Sequence, residues 1–323
     1  MSNADPRTLI QNVSRALEES VANVVIGQKD AVEDLMIGLW TGSHVLLEGL
    51  PGLAKTTLVR SMASALGLSY RRIQFTPDLM PADILGMEVL EEQQGQRSMR
   101  FVEGPIFTQI LLADEINRTP PKTQSALLQA MQEAQVSIAG RTVALPKPFI
   151  VFATQNPIEN EGTYPLPEAQ LDRFSLKVVM GYPSHDEELK IALSPRQMKS
   201  VPAIDGIAQI DWEACSRYLE EMPVTQSIIE MAVKIVRMSR PDSAEADDMV
   251  RLNVRWGAGP RASQYLIQVA KARAAMSGKA TPDVQDLAKA TLPVLRHRIL
   301  PTFSADARHV KSEDIIQHLL GRV

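Results

Sequence analysis

The sequence predicts an α/β domain on a five-stranded parallel sheet, residues 1–182, followed by a small all-helical domain, residues 183–323. Three observations carry this. Short apolar runs alternate with helical stretches up to about residue 182, as they do where a parallel sheet is covered on both faces. Beyond that point helical periodicities follow one another with no convincing strand. One apolar run also opens through a glycine-containing loop directly into a helix, the setting of a phosphate-binding loop.

Val45–Glu48, closed by Gly49, is the first candidate strand. Arg72–Phe75, Ile110–Asp114, Phe149–Thr154 and Leu176–Met180 are the other four. Their apolar residues are mostly continuous, which suits strands buried on both faces. Thr56–Leu66 and Lys122–Ala134 read as helices between them, the second started by Thr119 as cap and Pro120 in the first turn. Two hairpins interrupt this order. Met87–Glu91 and Met99–Val102 flank Gln93–Gln96, and Val136–Ile138 and Val143–Leu145 flank Ala139 and Gly140. In the second half, Ile228–Ser239 sets Ile229, Ala232, Val233 and Val236 on one helical face. Arg261–Met276 and Pro282–Ile299 are two more helices, separated at Ser277 and Gly278, while Pro202–Ile207 and Pro241–Asp248 read as loops.

With 45% hydrophobic and 22% charged residues among 323, the chain can build a sizeable core. Its net charge of −4 and lack of a basic, aromatic stripe argue against a nucleic-acid partner. The single cysteine, Cys215, excludes an intrachain disulfide and a cysteine-based metal site. It reads as a small apolar helix residue and fits a reducing compartment. No uncharged apolar run is long enough to span a bilayer, and Met1–Gln11 lacks the apolar region of a signal peptide, so the expected location is the cytoplasm. Ser2, Asn3 and Ala4 resemble a cloning remnant and enter no argument. His44, His185, His297, His309 and His318 are scattered without metal-ligand spacing, and Met231 and Met238 read as core filler.

The chemistry concentrates in two segments. Gly49, Leu50, Pro51, Gly52, Leu53, Ala54, Lys55, Thr56 and Thr57 follow an apolar strand and begin a helix. Backbone N–H groups of such a loop cradle phosphate oxygens, and the helix N-terminus adds positive potential. Lys55 is placed to neutralise the β- and γ-phosphates of ATP, and the Thr56 hydroxyl is placed for Mg²⁺. The common pattern has glycine immediately before the lysine, where this chain has Ala54. The second segment is the apolar run Ile110–Asp114, which ends in the acids Asp114 and Glu115. Ligands gather at the carboxyl edge of a parallel sheet. There Asp114 would hold Mg²⁺, and Glu115 would orient the attacking water as a general base.

Further segments resemble the MoxR branch of the P-loop AAA+ ATPases, in ordered succession over most of the chain. Val25-Ile26-Gly27-Gln28 resembles the stretch that helps form the adenine pocket, which implicates Ile26 and Gly27. Gly49 to Thr56 looks like the branch's own phosphate loop, with Ala54 part of the signature. Ala113-Asp114-Glu115-Ile116-Asn117-Arg118 is similar to its Walker B extension. Phe152-Ala153-Thr154-Gln155-Asn156-Pro157 resembles the sensor 1 strand, in which Asn156 would help position the water. Glu168 to Phe174 resembles the segment bearing an arginine finger, here Arg173. Gly259-Pro260-Arg261-Ala262 resembles sensor 2 on the helical lid, and Pro293 to Arg298 a further stretch typical of the branch. Arg118, Arg296 and Arg298 are not ranked as finger residues. The two hairpins look like the helix-2 insert and the pre-sensor hairpin.

This resemblance implies a further strand between the two motif strands and an AAA+ core with an all-helical lid. It implies Mg-ATP hydrolysis in a homo-oligomeric ring, a hexamer, with Arg173 acting on the neighbouring subunit and Arg261 reporting nucleotide state through lid movement. It also implies chaperone-like remodelling of partner proteins, often ones with a von Willebrand factor A domain, or metal-cofactor insertion. Three other readings stand beside it: an ATPase subunit of a magnesium chelatase, a DNA-linked motor, and a nucleotide-gated scaffold that does not hydrolyse ATP.

Overall fold

The computed structural model describes residues 5–323 except 23, 94–95, 139, 159–161, 194–200, 205–206 and 208–209. Two helices open the chain, α1 (Pro6–Ala22) and α2 (Lys29–Trp40). The α/β alternation follows as β1 (Val45–Gly49), α3 (Lys55–Ala65) and β2 (Tyr70–Gln74). A short α4 (Pro81–Leu85) runs into the hairpin β3 (Gly86–Gln93) and β4 (Gln96–Glu103). Then come β5 (Ile110–Asp114), α5 (Pro121–Glu133), the hairpin β6 (Gln135–Ile138) and β7 (Arg141–Ala144), and β8 (Ile150–Gln155). The core closes with α6 (Glu168–Leu171) and β9 (Leu176–Met180).

Strands β2, β5, β8, β1 and β9 lie side by side in that order, all parallel. The expected extra strand is β8, inserted between β1 and β5. Both hairpins form where the sequence places them, with Leu90 opposite Met99 in the first and Val136 opposite Val143 in the second. The central part of the first turn, residues 94–95, and Ala139 of the second lie outside the described residues.

The second half is helical: α7 (His185–Leu193), α8 (Trp212–Glu221), α9 (Gln226–Met238), α10 (Asp248–Asn253), α11 (Pro260–Met276), α12 (Val284–Leu295), α13 (Phe303–Ala307) and α14 (Ser312–Leu320). It departs from an all-helical composition in one place. Strands β10 (Val254–Trp256) and β11 (Leu300–Pro301) pair as a small antiparallel ribbon. Runs of three and two residues are too short to show a period of two, so sequence pattern cannot reveal them.

One start signal also differs. Helix α5 begins at Pro121 with Pro120 as its cap residue, not with Thr119. Pro121 has no N–H to be capped, and the Thr119 hydroxyl turns to the carbonyl of Leu79 at 3.5 Å.

Strand alternation sorts the core into two parts. Val45 and Leu47, Ile110 and Leu112, and Ile150 and Phe152 face α1–α3 and are continuous with the apolar interior of the helical half. Leu46, Leu111, Ala113, Val151 and Ala153 face the other way, onto α4 and α5 with Phe75 and Phe174. The lid helices therefore share one hydrophobic core with a face of the sheet, with Trp40 stacked on Trp212 at 5.1 Å between centroids. Among the described residues no helix is long and apolar enough to cross a membrane.

Candidate nucleotide site

The carboxyl edge of β1 leads into the loop 50–54, which turns the chain through two left-handed residues. Gly52 sits at φ +84° with open space where a Cβ would project. Ala54 sits at φ 59°, ψ 21° as the residue before α3. A Cβ in that region costs roughly 1 kcal/mol, which is why glycine is common at this position. Lys55 begins α3, and its ammonium donates to the carbonyls of Gly49 and Leu50, the latter at 2.9 Å. Burial lowers the Lys55 pKa while Asp114 and Glu115 raise it, so the loop cation lies within the field of both acids.

Thr56 faces Asp114 directly, with its hydroxyl 3.4 Å from the carboxylate. Asp114 ends β5 and is 7% exposed. Thr154 on the neighbouring β8 donates to its other oxygen at 2.6 Å and accepts from the Glu115 N–H at 2.8 Å. Two residues of β2, which sequence reasoning missed, complete the edge. The Arg72 guanidinium reaches Asp114 Oδ2 at 2.6 Å, and Gln74 donates to Glu115 at 2.7 Å. Arg118 lies 3.1 Å from the same Glu115 carboxylate. Glu115 itself occupies the left-handed region at φ 57°, a strained geometry that turns its side chain off the strand end.

Asn156 follows β8 and is therefore carried between the loop strand β1 and the acid strand β5. It is 6% exposed, and its Nδ2 is buried without a hydrogen-bond partner. A buried donor left open at this sheet edge suits an oxygen supplied by a bound ligand.

Beside the loop a cavity of about 180 Å³ is lined by Val25, Ile26, Gly52, Leu53, Pro183 and Ile191. Gly27 stands at φ +79°, where a Cβ would meet the Glu187 carboxylate at 2.8 Å. An apolar slot adjoining a phosphate loop suits a purine base. Pro183, ahead of α7, and Ile191, within it, thus bring the start of the helical half to the wall of this slot.

The expected residues fall into two groups. Lys55, Thr56, Asp114, Glu115 and Asn156 gather at one sheet edge, with Ile26 and Gly27 by the adjoining slot. Arg173 and Arg261 do not join them. Arg261, 61% exposed at its side chain, faces Asp172 at 3.9 Å, next to Arg173. Neither arginine makes a hydrogen bond or ion pair with the phosphate loop among the described residues, and the Arg173 guanidinium has no ion pair or side-chain hydrogen bond there at all.

The donor set fits a hydrated divalent cation. No cluster of three or more His, Cys, Asp or Glu forms among the described residues. One buried carboxylate and one hydroxyl beside a cationic phosphate loop is how Mg²⁺ is held when phosphates and water supply the other ligands.

Comparison with known proteins identifies the family. Residues 44–176 match the ATPase family associated with various cellular activities (AAA), and residues 246–319 match the AAA lid domain. Chaperone MoxR1 of Mycobacterium tuberculosis is 41% identical over 97% of this chain and 82% of its own length. Protein MoxR of Paracoccus denitrificans is 30% identical over 95% of this chain and 93% of its own. A crystal structure of a candidate ATPase from Cytophaga hutchinsonii superposes with a TM-score of 0.88 at 36% identity, covering 98% of this chain and 96% of that one. With a nucleotide edge of this construction, a lid domain and full-length relatives of one kind, the chain belongs to the MoxR group of AAA+ ATPases.

Proposed function

We propose that this ATPase works as a cytoplasmic homo-oligomeric ring, a hexamer, that spends Mg-ATP hydrolysis on chaperone-like remodelling or maturation of partner proteins. Partners bearing a von Willebrand factor A domain, and metal-cofactor insertion, are the specific clients this reading names. The observation that supports the ring is the Arg173 guanidinium, which has no ion pair or side-chain hydrogen bond among the described residues of its own chain, although the backbone around it is firmly bonded.

Within one subunit, Lys55 and the loop N–H groups hold the triphosphate, and Ile26 and Gly27 border the base. Thr56 and Asp114 would hold Mg²⁺, which would supply neutralisation of charge on the phosphate oxygens. Glu115 accepts the proton of the attacking water, and Asn156 orients that water. Arg72 and Gln74 hold the two acids apart in the meantime, each on its own carboxylate. Arg173 stabilises charge developing on the neighbour's γ-phosphate. Because Arg261 shares Asp172 with that segment, we assign it to the same subunit boundary.

Mixing Lys55→Ala subunits, which keep Arg173, with Arg173→Ala subunits, which keep an intact site, tests the ring. Turnover above that of either variant alone is expected. No gain at any mixing ratio contradicts action across a boundary. The remodelling role is tested by capturing partners on Glu115→Gln held in Mg-ATP. Recovery of the same partners by Lys55→Ala contradicts nucleotide-dependent engagement.

A further inference from the structure

We propose that Arg298, a buried residue of the lid, is the positioning residue for Arg173, so that lid and finger move as one body. This rests on the reading of Arg173 as a finger. The guanidinium of Arg298 is spent on the four residues around it. Its Nε donates to the Asp172 carboxylate at 2.8 Å. One terminal nitrogen donates to the carbonyls of Asp172 and Phe174 at 3.2 and 2.7 Å. The other donates to Ser175 at 3.1 Å and to Val294 in the last turn of α12. Tyr265 of α11 stacks beneath it, 4.6 Å from its ring centroid.

The lid grips the same segment a second time. His297 Nε2 donates to the Phe174 carbonyl at 3.0 Å. Burial holds its pKa well below the ordinary value, so the ring stays neutral and keeps that N–H. Carbonyls on both sides of Arg173 are thus tied to the turn that follows α12, while the Arg173 side chain makes no ion pair or hydrogen bond among the described residues. Five donors in a rigid fork suit this task, and a lysine ammonium on a flexible stem does not.

The arrangement has a mechanical consequence. Tyr265 belongs to α11, the helix that begins at Pro260 and carries Arg261, and Arg261 faces the same Asp172. A lid displacement caused by nucleotide therefore carries Arg173 with it. A finger displaced by about 1 Å loses on the order of 100-fold in rate without loss of substrate affinity.

The test uses the full chain and asks which side of the boundary a variant damages. Arg298→Gln is expected to lower kcat about 100-fold with the KM for ATP within about twofold of wild type. Supplied with Lys55→Ala partners, Arg298→Gln subunits should regain turnover, since their own sites are intact. Lys55→Ala/Arg298→Gln subunits should fail to activate Arg173→Ala subunits, whereas Lys55→Ala alone activates them. A residue that merely supports the fold would not produce this asymmetry. Equal activation by the single and double variants overturns the proposal while leaving the finger in place. Failure of Lys55→Ala itself to activate Arg173→Ala overturns the finger reading and the proposal with it. Should Arg298→Gln not fold, Arg298→Lys carries the same expectations in both roles.

Discussion

The sheet edge and the lid–finger junction are built on opposite plans. At the edge, charged and polar groups of β2, β5, β8 and the phosphate loop converge. Lys55 rests on its own loop carbonyls, Asn156 Nδ2 has no partner, and Asp114 is held by Arg72. At the junction the chief cation, Arg298, spends four of its five bonds on the segment Asp172–Ser175, while the Arg173 guanidinium makes none among the described residues. A site that awaits a ligand keeps open valences, and a site that transmits a position closes them. The difference predicts that loss of the loop cation at the edge changes binding, whereas lesions at the junction change turnover alone.

The largest expected effect is at the edge. Lys55→Ala removes the loop cation and should weaken ATP binding on the order of 10⁴-fold, measured by equilibrium titration. Wild-type affinity in that variant would break the contrast at once. Arg173→Ala comes next and should lower kcat about 10³-fold with affinity within about twofold. Loss of affinity instead would place Arg173 with the edge. Arg72→Leu sharpens the comparison. It removes a cation that competes for Asp114, so the Mg²⁺ concentration for half-maximal turnover should fall about threefold. A rise would mean that Arg72 supports the metal site.

A further effect, on stability rather than on turnover, concerns His44 just before β1, whose carbonyl accepts from the Ser175 N–H at 3.0 Å. His44 donates to Met131 and accepts from the Val151 N–H, both at 3.0 Å, and burial lowers its pKa to about 4. A depressed folded pKa gives stability that is whole above the unfolded value near 6.5 and is lost as pH falls toward 4. That loss should approach about 3 kcal/mol in denaturant titrations, and His44→Leu should flatten it. An unchanged slope in the variant assigns the acid sensitivity elsewhere.

The edge was largely legible because its residues are contiguous. A loop that must bend at Gly52, carry Lys55 and start a helix has to be written in one short run of sequence, and so does an apolar strand ending in Asp114 and Glu115. Arg72 and Gln74 were not legible. They lie some forty residues before the acids they hold, on a strand whose register only the sheet fixes. The alternation of polar residues in Tyr70–Gln74 was the available signal, because an edge strand needs fewer apolar side chains. Helices α1 and α2 also went unread, although Ile10, Val13, Leu17 and Val21 recur at helical spacing and all are buried. The role of Arg298 had no local signature. Its partners at 172–175 sit more than 120 residues away, and only the packing of α12 on the sheet brings them together.

The claim beneath the account is that Lys55 and the acid pair Asp114 and Glu115 serve a single bound triphosphate. Equilibrium Mg-ATP binding and single-turnover hydrolysis, measured together on Glu115→Gln, address it most directly. The account predicts wild-type affinity with hydrolysis slowed about 10³-fold, the nucleotide remaining as ATP on the protein. Hydrolysis at the wild-type rate in that variant would contradict it.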